Sequence, residues 1–62
     1  MADDFADSVN RSADGIIRTH GNHAEAHARS TVVQMAARKD VYGERMWQAI
    51  VRAIEEKQSP KL

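Results

Sequence analysis

Only sixteen apolar side chains larger than alanine are available to form a core in this chain, because ten of its apolar residues are alanine. The chain has 62 residues and no cysteine, so disulfides and thiolate zinc sites are excluded as sources of stability. Its length also excludes a doubly wound sheet, a barrel or a self-contained enzyme cleft. Burial in so small a chain barely exceeds the conformational entropy lost on folding. We therefore expect a metal or a second subunit to complete the fold, and favour the second subunit.

Basic and acidic residues, nine of each, give a net charge of zero. This balance argues against nucleic-acid binding, which requires an excess of Lys and Arg. No segment approaches the roughly 20 apolar residues of a membrane span. The start, Met1-Ala2-Asp3-Asp4, lacks the basic region and apolar run of a signal peptide. We expect a cytoplasmic protein that does not contact membranes.

The charges are unevenly distributed along the chain. Residues 1–14 carry four aspartates and one arginine, whereas the basic residues predominate in the remainder. An acidic first helix beside a basic remainder favours ion pairing within the chain or between subunits. Such surface pairs determine orientation more than stability.

Apolar spacing predicts a first helix over about residues 3–20. Asp3, Asp4 and Asp7 lie in its first turn, where the helix dipole favours anions. Gly15 interrupts the pattern and costs about 1 kcal/mol relative to alanine. It marks either a break after Asp14 or the close approach of another helix. The predicted apolar stripe comprises Phe5, Val9, Ala13, Ile16, Ile17 and His20.

A turn and a second helix, over about residues 23–39, are predicted next. Gly21 suits the left-handed residue that ends a helix, and Asn22 suits an N-cap. Glu25 stands three residues after Asn22, as the partner in a capping box would. The inner stripe comprises Ala24, Ala28, Val32, Met35 and Ala36, with Val33 and Ala37 on its flank.

A second turn over residues 40–43, with Asp40 and Gly43 as its structural residues, leads into a third helix over about residues 43–57. Pro60 keeps residues 59–62 out of this helix as a disordered tail, which leaves residues 1–58 as a single helical domain. The third helix has the clearest amphipathic pattern of the three. Its apolar face comprises Tyr42, Met46, Trp47, Ile50, Val51 and Ile54.

Three histidines are the only residues that suggest metal chemistry. His23 and His27 are four residues apart on one helical face, a spacing that can present two imidazoles to one ion, and His20 lies across the turn. The glutamate of a zincin motif is missing after the first histidine. The alternative is that His20 completes the apolar stripe while the other two are half-exposed polar residues. A His-based metal site therefore remains the second hypothesis.

Neither catalysis nor a DNA-binding helix-turn-helix finds support in the motifs. No serine stands in a glycine-flanked elbow, and no glycine-rich phosphate loop is present, so we expect no enzyme and no cofactor. Around Gly43, Lys39 and Ala49 occupy the positions where a helix-turn-helix has alanine and a β-branched residue. A regulator that acts on nucleic acid is the third hypothesis.

Two segments carry a recognisable pattern: Ile16-Ile17-x-x-His20-Gly21-x-x-Ala24-x-x-x-Ala28 and Asp40-x-x-Gly43-x-x-x-Trp47-x-x-Ile50-x-x-Ala53-Ile54. The pattern resembles a group of small all-helical proteins of alphaproteobacteria and covers roughly residues 16–57. Lys39 departs from it, since glycine often precedes the turn aspartate there. The resemblance implies a bacterial, cytosolic, all-helical protein and brings no activity with it.

Together these features predict an all-α protein of three short helices, a small bundle or helical hairpin completed by oligomerisation. We expect a protein–protein interaction module, either a homodimer or an accessory subunit of a larger assembly. The predicted core and interface comprise Phe5, Val9, Ile16, Ile17, Val32, Met35, Tyr42, Met46, Trp47, Ile50, Val51 and Ile54. This expectation rests on the apolar stripe of the third helix, which so short a chain cannot cover.

Overall fold

Helices account for nearly all of the chain that the structure describes, which is residues 4–59 of a computed structural model. They are α1 (Asp4–His20), α2 (Ala24–Ala37) and α3 (Val41–Gln58), with a short 3-10 turn, Gly21–His23, between α1 and α2. The all-α prediction is confirmed. Asp3 and residues 60–62 of the predicted tail lie outside the described residues.

The first helix, α1, runs without interruption through Gly15. Apart from its chain neighbours and its own helix backbone, no atom of residues 4–59 lies within 4 Å of the place where a Cβ at Gly15 would stand. Both predicted explanations of this glycine, a break and a close helix approach, are therefore wrong. Gly21 does end the helix as expected, with a left-handed φ of 55°.

The predicted cap of α2 is also wrong. Asn22 lies inside the 3-10 turn, and the N-cap position falls on His23, whose side chain makes no capping bond. The Ala24 N–H donates instead to the Gly21 carbonyl, so the tight turn supplies a partner that a capping side chain would otherwise provide. Glu25 is consequently free of the capping-box role and binds Arg29. The helix begins and ends slightly inside the predicted 23–39.

The turn between α2 and α3 contains Lys39 in a left-handed backbone conformation. The Lys39 N–H donates to the Ala36 carbonyl and the Asp40 N–H to the Met35 carbonyl, which together form a Schellman motif. Lys39 adopts φ 61° there, the left-handed conformation that glycine usually supplies. The left-handed backbone at Lys39 is strained for a non-glycine residue, and it places Asp40 directly before α3.

Asp40 fixes the start of α3. Its Oδ1 accepts a hydrogen bond of 2.9 Å from the Gly43 N–H, the third residue of the helix, so α3 begins at Val41 rather than near residue 43. A Cβ on Gly43 would stand 2.6 Å from the Asp40 carboxylate and 2.9 Å from the Met35 sulfur. Glycine at this position therefore allows the cap and the α2 contact to coexist.

The helices run up, down and up. Lys57 pairs with Asp14 at 3.1 Å, and the Gln58 side chain donates to the Gly21 carbonyl, so the ends of α1 and α3 meet and these helices are parallel. Arg29 binds Glu55 near the start of α2, which makes α2 antiparallel to both. Since α3 packs against α1 and α2 more extensively than they pack against each other, α3 is the central helix.

The core is small and alanine-rich. Ile50 and Ile54 are the largest fully buried side chains among the described residues. The remaining buried residues are Val9, Ala13, Ala24, Ala28 and Val51, and Ile16, Ile17, Val32, Met46 and Trp47 pack partly buried against them. Because α1 and α2 cover Ile50 and Ile54 completely, the expectation that this part of the α3 stripe lacks cover is wrong.

Candidate interaction surface

An open groove of about 410 Å³ runs between α2 and α3. None of its lining residues belongs to α1, so the groove lies on the side of the α2–α3 hairpin that α1 leaves uncovered. Its apolar floor is formed by Val32, Val33 and Val51. Its polar rim is formed by Arg29, Gln48, Arg52 and Glu55.

Helical spacing places two further apolar residues on this side of the hairpin, nearer the turn between α2 and α3. Ala36 lies one turn beyond Val32 and Val33 on α2, and Val41 lies two turns before Gln48 on α3. Val33 and Val41 are 67% and 66% exposed, respectively, so two of the large apolar side chains that remain exposed in the folded chain lie on this side. We define the α2–α3 face by five residues: Val32, Val33, Ala36, Val41 and Val51.

Arg29 closes one end of this face with a three-residue ion network. Its Nε and Nη2 donate to Glu25 on the same helix at 2.9 and 2.6 Å, and Nη2 also donates to Glu55 on α3 at 2.5 Å. The hydrogen bond from Arg29 holds the pKa of Glu25 below its ordinary value, and the same bond raises the pKa of Arg29. All three groups are partly or largely in solvent, so the network orients α2 on α3 and contributes little stability.

Two further charged residues lie along α3. Glu44, Gln48 and Arg52 are spaced by four residues and follow one side of the helix, with Gln48 in the middle. Within residues 4–59, neither Glu44 nor Arg52 takes part in a salt bridge. An anion and a cation therefore stand one turn to either side of a polar amide on the rim of the groove.

The three aromatic residues predicted for the core or interface differ in burial: Phe5 and Tyr42 are exposed, whereas Trp47 is partly buried. Phe5 and Tyr42 meet edge to face with ring centroids 6.4 Å apart, where the first turns of α1 and α3 adjoin. They are 42% and 67% exposed, so neither belongs to the core. Phe5 lies in the first turn of α1 and Tyr42 in the first turn of α3, so both stand at the same end of this parallel helix pair. Trp47 packs partly buried against the core, as predicted.

The histidines form a stack rather than a metal site. His20 and His27 lie with ring centroids 4.1 Å apart and planes 17° apart, and the rings of His27 and Trp47 meet edge to face. A metal bound by imidazole lies close to the ring plane, so two near-parallel rings cannot direct their nitrogens at one ion. No group of three or more His, Cys, Asp or Glu side chains within residues 4–59 could hold a metal ion. The predicted set of His20, His23 and His27 is therefore not assembled.

In the described part of the chain, a single ion pair joins α1 to the other helices: Lys57 on α3 binds Asp14 on α1. Arg11, on α1 itself, binds Asp7 at 3.2 Å. Within residues 4–59, Asp4 and Asp7 thus make no ion pair with α2 or α3, and pairing between subunits, the other predicted alternative, stays a prediction.

Val33 and Val41 are the surface residues that sequence reasoning did not single out. The stripe of α2 places Val33 on the flank, and Val41 stands in what reads as a turn. One signal was present on α3: Val41 stands seven residues before Gln48, which places it on the polar Gln48 side of the helix rather than on the buried Ile50 side.

Comparison with known proteins returned no match to a family model, a curated protein or a solved structure. No helix within residues 4–59 has the length and apolar character needed to cross a membrane.

Proposed function

We propose that this protein is a protein–protein interaction module that self-associates into a homodimer through the α2–α3 face. The observation that carries the proposal is the exposure of Val33, which lines the groove with Val32 and Val51, and of Val41 on the Gln48 side of α3. Exposed apolar surface that is contiguous and has a polar rim is typical of interaction sites. A second copy would convert this face into an interior.

The size of the core supports the need for a partner. Among residues 4–59, three of the seven buried core residues are alanine, and only Ile50 and Ile54 are large and fully buried. A domain with so little buried apolar surface gains substantially from each further side chain that leaves water, at about 25 cal/mol per Å² of apolar area. Dimerisation adds valines from both copies without lengthening the chain.

The polar row on α3 supports a second copy in particular. Symmetric dimers pair identical patches about a two-fold axis, so residues equidistant from the axis on opposite sides meet. With the axis beside Gln48, each Glu44 lies opposite the partner subunit's Arg52. The two Gln48 amides meet each other, and each can donate one hydrogen bond and accept one. The row of Glu44, Gln48 and Arg52 beside the α2–α3 face is therefore complementary to itself in charge and in hydrogen bonding.

Val33→Glu is expected to abolish dimerisation at micromolar concentration. The substitution places two carboxylates in an apolar interface, which weakens association roughly 100-fold. Val33 is largely exposed in the monomer, so the helical fold should be retained. Sedimentation equilibrium of the wild type and the variant measures this effect, with circular dichroism as the check on folding.

Gln34→Glu is the matched control, because Gln34 is exposed on the same helix and does not line the groove. It should sediment as the wild type does. A monomeric wild type would contradict self-association and favour the accessory-subunit hypothesis. A dimeric Val33→Glu variant would show that the copies associate through another surface.

A further inference from the structure

Gly15 lies in the middle of α1, and nothing in the packing of the described residues requires glycine there. Glycine in a helix interior is unfavourable relative to alanine. A Cβ at this position would meet open space, and the backbone φ is not in the left-handed region. Neither a close helix contact nor a turn therefore requires glycine here.

The open space beside Gly15 is a recess of about 390 Å³ between α1 and α3. Its lining residues are Ser12, Gly15, Ile16, Thr19, His20 and Trp47. They include two hydroxyls, two aromatic rings and a stretch of bare backbone, and none of them is an aspartate, glutamate, lysine or arginine. Its volume lies in the range of small-molecule sites.

The two aromatic rings that line this recess, those of His20 and Trp47, both contact a third ring, that of His27. The rings of Trp47 and His27 meet edge to face with centroids 6.3 Å apart, and His27 stacks on His20. Three helices each contribute one ring to this cluster. Because the rings support one another, Trp47 and His20 offer a preorganised aromatic surface.

The two hydroxyls supply unused hydrogen-bonding capacity. Thr31 on α2 donates its hydroxyl to the His27 carbonyl, as helical threonines often do. Neither Ser12 nor Thr19 is engaged in this way among the side-chain hydrogen bonds of residues 4–59. Their hydroxyls can donate to or accept from a molecule in the recess.

The geometry points to a binding site for a small, neutral, planar heteroaromatic molecule in the recess at Gly15. The rings of Trp47 and His20 favour a flat π system, the hydroxyls favour ring nitrogens or amino groups, and the lack of a charged lining residue favours a neutral ligand. Gly15 allows the molecule to lie against the helix backbone. The site is distinct from the α2–α3 face and does not depend on dimerisation.

Titration with adenine, followed by amide and indole N–H resonances in ¹H–¹⁵N NMR spectra, tests this assignment. Saturable shifts are expected at Gly15, Thr19 and the single Trp47 indole N–H, with millimolar affinity because the recess is open. Cyclohexanol, of similar size but without a π face, should bind at least tenfold more weakly. The absence of saturable shifts, or equal binding of the two compounds, would overturn the assignment.

Gly15→Ala separates binding from folding. The added methyl group meets no atom in the free protein, so the melting temperature should rise, while adenine binding should weaken roughly tenfold or more because the methyl group occupies the recess. Ser8→Ala, exposed on the same helix outside the recess, is the control and should bind as the wild type does. Unchanged affinity in Gly15→Ala would contradict the site. The Val33→Glu variant should retain adenine binding, so failure of the dimer proposal leaves this test intact.

Discussion

Replacing Ile54 with alanine is expected to lower the free energy of unfolding by about 3 kcal/mol. Ile54 is 0% exposed and lies on the central helix, where residues from α1 and α2 surround it. The loss combines the transfer free energy of the missing methyl and methylene groups with the cavity that they leave. Since only one other large side chain is fully buried in the described part of the chain, few neighbours can shift to fill that cavity.

Chemical denaturation at a fixed protein concentration, followed by circular dichroism, measures this loss. Ile54→Val provides the graded companion, with an expected loss of about 1 kcal/mol, and remains measurable if the alanine variant is unfolded at 25 °C. A loss below about 1 kcal/mol for Ile54→Ala would contradict the described core, because truncation of a central core side chain lowers the free energy of unfolding by more than that.

Ala28→Leu is expected to destabilise the protein by about 2 kcal/mol or more. Ala28 is 0% exposed at the contact of α2 with the core, together with Ala24. Its small side chain permits the helices to approach closely, and a leucine there would force α2 away from α3 or into strained rotamers. Leucine itself favours helices nearly as well as alanine, so helix propensity does not contribute to the loss.

Ala26→Leu is the matched control for this substitution. Ala26 lies on the same helix two residues away and is exposed, so leucine there should change stability by no more than about 0.5 kcal/mol. Thermal denaturation of both variants makes the comparison. Equal melting temperatures would show that α2 does not pack through Ala28.

The helices themselves could be predicted from sequence because their signals are local. Apolar spacing identifies all three, and Asp40 is recognisable as a cap because an aspartate three residues before Gly43 needs no distant partner to bind that N–H. The cap at Asn22 is predicted on equal grounds and is wrong. Gly21 leads into a 3-10 turn there, and the turn satisfies the helix start before the side chain is needed.

The surface could not be predicted in the same way, because it depends on how the helices rotate against one another. The apolar stripe of α3 reads as a single face, yet α1 and α2 cover Ile50 and Ile54 and leave Tyr42 in solvent. On α2, Ala24 and Ala28 face the core, whereas Val33 is exposed. The histidine spacing likewise indicates a pair at His23 and His27, whereas the fold across the turn brings His27 onto His20.

A charge-reversal experiment tests the proposed two-fold axis at Gln48. Glu44→Arg and Arg52→Glu each convert two attractive pairs across the dimer into two repulsive ones, which is expected to weaken association roughly tenfold. Both positions are at least partly in solvent and make no salt bridge within residues 4–59, so the monomer should be unaffected. The double variant restores both pairs and should dimerise as the wild type does.

Sedimentation equilibrium of the two single variants, alone and mixed in equal amounts, is the most direct test of self-association through the α2–α3 face. The Glu44→Arg variant carries arginine at both positions of the pair, and the Arg52→Glu variant carries glutamate at both. In the mixed dimer each arginine would therefore face a glutamate, so both pairs would be attractive. We predict monomers for each variant alone at a concentration near the wild-type dissociation constant, and dimers in the mixture. Equal association of the separate variants and their mixture would contradict the proposed dimer.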